Sequence, residues 1–258
     1  MILHTRFLQT VSSVKRLAVL VQTYHFSRGE RCYSAPPKSL PWLLRSALKA
    51  MVNLRELWLD VTDTIRIGSA GIGTTGSAVL PFIFDECVFQ LDTLHMLHCV
   101  DTKAFCAFLM TQKRLRKLTA YFNPCTTSKN YILPPAACPS LEVLQGNRSA
   151  IDALLPNRHI SSLLWDPDMY EMNQSMSHLC EPLSHLKILA LEGSFLRPSL
   201  HFLAEHLKSV ECMELVTLHV STRARVALLL PFLYHMLKII NQSPGSWMLS
   251  TEFHHFVD

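Results

Sequence analysis

Gly71, Gly73 and Gly76 in the string GIGTTG carry the spacing of a dinucleotide-binding loop, G-x-G-x-x-G. Cofactor chemistry at such a loop needs a strand that feeds the glycines and a helix that starts among them, so that its first amides face a pyrophosphate. Residues 61–67 could supply the strand, and Asp92 lies near the place of a ribose-binding acid. Pro81 follows Gly76 too closely for a helix of useful length to begin there. With Ser69, Thr74, Thr75 and Ser77 around it, the stretch reads as an inserted loop near residues 68–77. A nucleotide-dependent α/β enzyme using GIGTTG is kept as the alternative reading, and no cofactor is expected.

Metal chemistry has one candidate cluster, His95, His98 and Cys99 in HMLHC with Cys106. Zinc needs four convergent ligands, whereas alternation along a strand sends His98 to the face opposite His95 and Cys99. His201 and His206 are poorly spaced to share a metal on a helix, and His254 and His255 read as a frayed end. The acid pairs Asp85–Glu86 and Asp166–Asp168 read as loop residues, and no nucleophile sits in a recognisable catalytic string. No catalytic, cofactor or metal residue is therefore assigned.

The elements that must position any site follow from composition and repetition. The chain has 258 residues, 49% of them hydrophobic and 17% charged, enough to bury a large core. Its formal charge of +4 and the short basic run KRLRK (113–117) do not call for nucleic acid. Eight cysteines without a C-x-x-C pair suit small core residues in a reducing compartment, so the cytoplasm or nucleus is expected. The most apolar run, residues 226–240, is too short for a membrane span and carries Pro231, His235 and Lys238, so no membrane partner is expected.

One hexad, apolar-x-x-Leu-x-small or apolar, recurs along the chain: VKRLAV from Val14, LRELWL from Leu54, LDTLHM from Leu91, LRKLTA from Leu115, LEVLQG from Leu141, ISSLLW from Ile160, LKILAL from Leu186 and LVTLHV from Leu215. Successive starts are 40, 37, 24, 26, 19, 26 and 29 residues apart, several of them in the leucine-rich-repeat range. Helical stretches intervene at residues 40–51, 103–112, 150–155, 198–209 and 223–240. The expectation is an α/β fold: an irregular leucine-rich-repeat solenoid over residues 14–258, with a curved parallel sheet on the concave side, helices on the convex side and an N-terminal tail over residues 1–13.

The stretches LPWLLRSALKAMVNLRELWL (40–59), FCAFLMTQKRLRKL (105–118), CPSLEVLQG (138–146) and LLPNRHISSLLW (154–165) give the chain a resemblance to the fungal F-box-like leucine-rich-repeat proteins. The resemblance implies that the repeats hold a protein target while an F-box recruits the rest of a ubiquitin ligase. Thirteen residues precede the first hexad, too few for an F-box, so a ubiquitin-ligase scaffold is expected as partner only if an F-box lies upstream. A truncated relative without activity is the remaining alternative.

If the first, fourth and sixth hexad places face the core, the third, fifth and next residues face outward. That row contains Glu56, Trp58 and Asp60, then Thr93 and His95, then Lys117, Thr119 and Tyr121, then Gln145. It continues through Leu164 and Asp166, Glu192, and Thr217 and His219. These residues are expected to form the protein-binding face, with Trp58 and Tyr121 as anchors.

Overall fold

The computed structural model describes residues 2–27, 40–60, 81–99, 102–122, 133–166, 177–192, 206–207, 209–216 and 248–252, and the chain divides into two compact units, residues 1–141 and 142–258. In the first unit the elements are α1 (Ile2–Ser13), α2 (Lys15–Ala18), β1 (Thr23–Ser27), α3 (Leu40–Ala50), β2 (Glu56–Asp60), a 3₁₀ turn (Pro81–Phe84), β3 (Thr93–Cys99), α4 (Thr102–Thr111) and β4 (Lys117–Phe122). The second unit holds β5 (Val143–Gly146), α5 (Arg148–Leu154), β6 (Ser162–Trp165), a 3₁₀ turn (Ser177–Leu179), α6 (Cys180–Leu183), β7 (Ile188–Glu192), β8 (Cys212–Val216) and β9 (Met248–Glu252). Within each unit every strand pairs in parallel with the next strand in the chain, which makes the fold α/β. Thr23, Glu56, Thr93 and Lys117 align in the first unit, as do Val143, Ser162, Ile188, Cys212 and Met248 in the second.

The hexad explains why these strands form and which way they face. Its first, fourth and sixth places are buried throughout: Leu54, Leu57 and Leu59; Leu91, Leu94 and Met96; Leu115, Leu118 and Ala120; Leu141, Leu144 and Gly146; Ile160, Leu163 and Trp165; Leu186, Leu189 and Leu191. Each such leucine contributes about 1.5–3 kcal/mol by leaving water. Helices cover this side. His4 and Phe7 of α1 lie against Tyr24, Phe105 of α4 meets Phe122 edge-on at 6.0 Å, and Arg148 of α5 lies 6.0 Å over the Trp165 ring. The 3₁₀ turn adds Phe84, stacked on Phe108 at 4.1 Å, so the Phe-x-x-Phe spacing of α4 serves the core.

A repeated hydrogen bond sets the stagger between neighbours. The amides of Arg55 and Glu56 both donate to the Gln22 carbonyl, those of Asp92 and Thr93 to Arg55, and those of Arg116 and Lys117 to Asp92, at 2.7–3.1 Å. The second unit repeats the device from Ser161 and Ser162 to Glu142, from Lys187 and Ile188 to Ser161, and from Glu211 and Cys212 to Lys187. The second hexad place therefore ties each repeat to the one before, whatever its side chain.

Side chains make further ties between repeats. Gln112 is fully buried at the end of α4, where Oε1 accepts from the Leu91 amide at 2.9 Å and Nε2 donates to the Phe89 carbonyl at 3.3 Å. Gln90 returns the contact, accepting from the Lys113 amide and donating to the Thr111 carbonyl. This glutamine exchange ties the segment before β3 to the segment after α4. In the second unit Asn147 caps α5 by accepting from the Ala150 amide, and Asn157 takes the left-handed backbone (φ 61°) that asparagine tolerates. Buried Arg158 then donates to the carbonyl of Leu154, which the end of α5 would otherwise leave without an intrahelical partner, and to that of Pro156.

Several expectations need correction. Residues 2–13, expected as part of a tail, form α1, with Leu8 and Val11 buried. VKRLAV is not a strand; it starts at the N-cap of α2, and the first strand repeat is VQTYHF, where Tyr24 takes the leucine place. Tyrosine works there because its hydroxyl reaches His4 Nε2 at 2.6 Å, a partner 20 residues away. LVTLHV is also misplaced: the register enters at Val210, giving VECMEL with Met213 buried in the leucine place. The glycine-rich loop and the helix expected over residues 223–240 lie outside the described residues, as does most of that expected over residues 198–209.

Candidate functional site

In the first unit, part of the predicted site lies on the strand face opposite the helices. Along β2 the side chains alternate, with Glu56 and Trp58 exposed, Leu57 and Leu59 buried, and Asp60 half-buried at the end of the strand. Parallel register sets Glu56 beside Thr93 and Thr93 beside Lys117, and sets Trp58 beside His95 and His95 beside Thr119. Tyr121 follows on the same face of β4, half-buried, beyond a register shift between Met96 and Cys99. Eight of the predicted residues, Glu56, Trp58, Asp60, Thr93, His95, Lys117, Thr119 and Tyr121, therefore share one face of the first unit.

Their centre is an aromatic row. Paired strands lie about 4.8 Å apart, so ring-bearing register partners meet directly. Trp58 stacks on His95 with ring centroids 4.5 Å apart, and His25 closes on its other side at 5.1 Å. With both neighbours in place the indole is still 40% exposed. Burial holds His95 below the ordinary imidazole value; the nearby Asp60 carboxylate opposes this and the His25 ring reinforces it. His25 was not predicted as a site residue. Its signal was VQTYHF, which a search requiring leucine at the fourth place passes over.

In the second unit Gln145 and Leu164 are register partners, followed by Ala190 and Glu214, and Ile188 on the same face is 43% exposed. Gln145, Leu164 and Asp166 are half-buried. Glu192 is the last residue of β7, with its side chain outside the described residues, and Thr217 and His219 lie outside them altogether.

The other candidate chemistry resolves into structure where it is described. Arg45 of α3 bridges to Asp85 and Glu86, and Lys49 also pairs with Glu86, so this acid pair anchors the 3₁₀ turn to α3. The KRLRK run buries Leu115 at the entry to β4, while Arg114 joins Arg55 around Asp92 at 3.1 and 4.0 Å. Cys106 is buried, the side chains of His98 and Cys99 fall outside the described residues, and among the described residues no three His, Cys, Asp or Glu side chains form a metal site. Gly71, Gly73, Gly76 and Asp168 also lie outside the described residues; those just after the glycine string begin with a four-residue 3₁₀ turn. Among the described residues no helix is long and apolar enough to cross a membrane.

Comparison of the chain with family models, curated proteins and solved structures returns no match.

Proposed function

We propose that the protein is a non-enzymatic protein-binding module of the leucine-rich-repeat type, whose open sheet face holds a protein target. The observation that carries this reading is the aromatic row His25–Trp58–His95, fixed by strand register and left partly open to solvent beside Glu56, Lys117 and Tyr121. A large aromatic ring held rigid before binding loses little further freedom on contact, and such rings carry much of the energy where proteins meet. Parallel pairing in chain order, a leucine hexad at each of β2 to β7 and the repeated amide tie support solenoid-type repeats, in which each repeat buries its apolar side only against its neighbours.

The resemblance of residues 40–59, 105–118, 138–146 and 154–165 to F-box-like proteins extends this proposal to presenting a target to a ubiquitin ligase, on the condition that an F-box lies upstream of residue 1. The test uses quantitative affinity capture from the native cell with wild-type protein, Trp58→Ala, and Val88→Ser as a control, since Val88 is exposed outside the strand face. The reading expects a defined set of proteins lost with Trp58→Ala and retained with Val88→Ser. Equal capture by both variants would contradict it.

A further inference from the structure

The second unit brings a thiol and an imidazole into contact away from the strand residues. Cys180, the first residue of α6, has Sγ 3.2 Å from Nε2 of His206, which arrives from the following repeat. Both residues are half-buried, unlike the fully buried Cys106 and Cys138. The other thiols among the described residues are differently placed. Cys106 and Cys138 are buried, with Cys138 donating to the Leu109 carbonyl, and burial pushes the Cys87 thiol up to about 12. Cys212 resembles Cys180 in exposure and is a free thiol in β8.

A cysteine reacts as its thiolate, and an imidazole in hydrogen-bond contact is placed to take the proton. Among the described residues, the neighbouring titratable side chains contact one another: His178 meets Asp152, which also holds Arg148, and His185 meets Glu181. His206 is the base the geometry gives to Cys180.

We infer that Cys180 is a modification site for hydrogen peroxide, with His206 as its proton acceptor. His206 takes the Sγ proton, and the thiolate attacks one peroxide oxygen. The S–O bond forms as the O–O bond breaks, and the proton held by His206 passes to the leaving hydroxide. Cysteine is oxidised to sulfenic acid and peroxide is reduced to water. Because Cys180 and His206 belong to successive repeats, the added oxygen falls on a contact between repeats.

The test treats the full chain under native conditions with limiting hydrogen peroxide, traps sulfenic acid with dimedone, and maps the labelled peptides over time. Cys180 should be labelled about tenfold faster than Cys212 in the same molecule, and about tenfold faster than Cys180 of His206→Gln. Equal rates for Cys180 and Cys212 in the wild type would overturn the inference without reference to any variant. An unchanged Cys180 rate in a folded His206→Gln protein would remove His206 from it.

Discussion

The indole of Trp58 lies on the imidazole of His95, centroids 4.5 Å and planes 19° apart, because the two residues are register partners on β2 and β3. Neither position is set by a loop. Each follows from a buried apolar residue on either side, Leu57 and Leu59 around Trp58 and Leu94 and Met96 around His95. The repeat that builds the core therefore also orients the exposed row.

Trp58→Ala should separate binding from folding. The ring contributes stacking of about 1 kcal/mol to stability. As the anchor of an interface it should contribute about 2 kcal/mol or more to binding, roughly a thirtyfold change in Kd. Urea unfolding and titration against a captured partner measure the two quantities; a loss of stability that matches the loss of binding would contradict the anchor role.

Core and face positions on one strand should respond oppositely. Leu118→Ala removes a buried side chain beneath β4 and should cost about 2–5 kcal/mol of stability. Lys117→Ala, one residue away and exposed, should stay within about 0.5 kcal/mol. Urea midpoints for the pair check the alternation directly.

Gln112→Leu should be costly although it makes the core more apolar. It leaves the Leu91 amide and the Phe89 carbonyl without the side chain they meet, at about 1–3 kcal/mol for each buried group left unsatisfied. Gln90→Ala, on the outer side of the exchange, should cost less. Similar values for the two would argue against a buried tie.

The leucine places of β2 through β7 were legible because leucine, isoleucine and their spacing report burial directly. What escaped depended on partners distant in sequence. Tyr24 could replace leucine in β1 only because α1 brings His4 to its hydroxyl, and Met213 stands for leucine in β8, so a pattern requiring leucine put both ends out of register. His25 was lost with the first of these errors. Gln112 and Arg158 look polar in sequence and are buried because backbone groups of helix ends and neighbouring repeats receive them. His206 pairs in sequence with His201 on an expected helix, whereas the contact it makes is with Cys180 in the preceding repeat.

Acid should act through His95. Its folded value lies below the ordinary 6.5, so the unfolded chain binds the proton more readily. The stability linked to this group is complete above about pH 6.5 and declines as pH falls from there toward the lowered folded value. In an NMR titration the His95 midpoint should fall further in Asp60→Asn, which removes the opposing carboxylate, and rise in His25→Gln. The reverse order would contradict the assigned causes.

The central claim, that the strand face of the first unit receives a protein, is tested most directly by a photo-crosslinking amino acid placed in turn at Thr119, on that face, and at Val88, off it, in the native cell. The account predicts a discrete protein adduct from Thr119 that disappears when Trp58→Ala is added, and no such adduct from Val88. Adducts from Val88 alone, or a Thr119 adduct indifferent to Trp58, would contradict it.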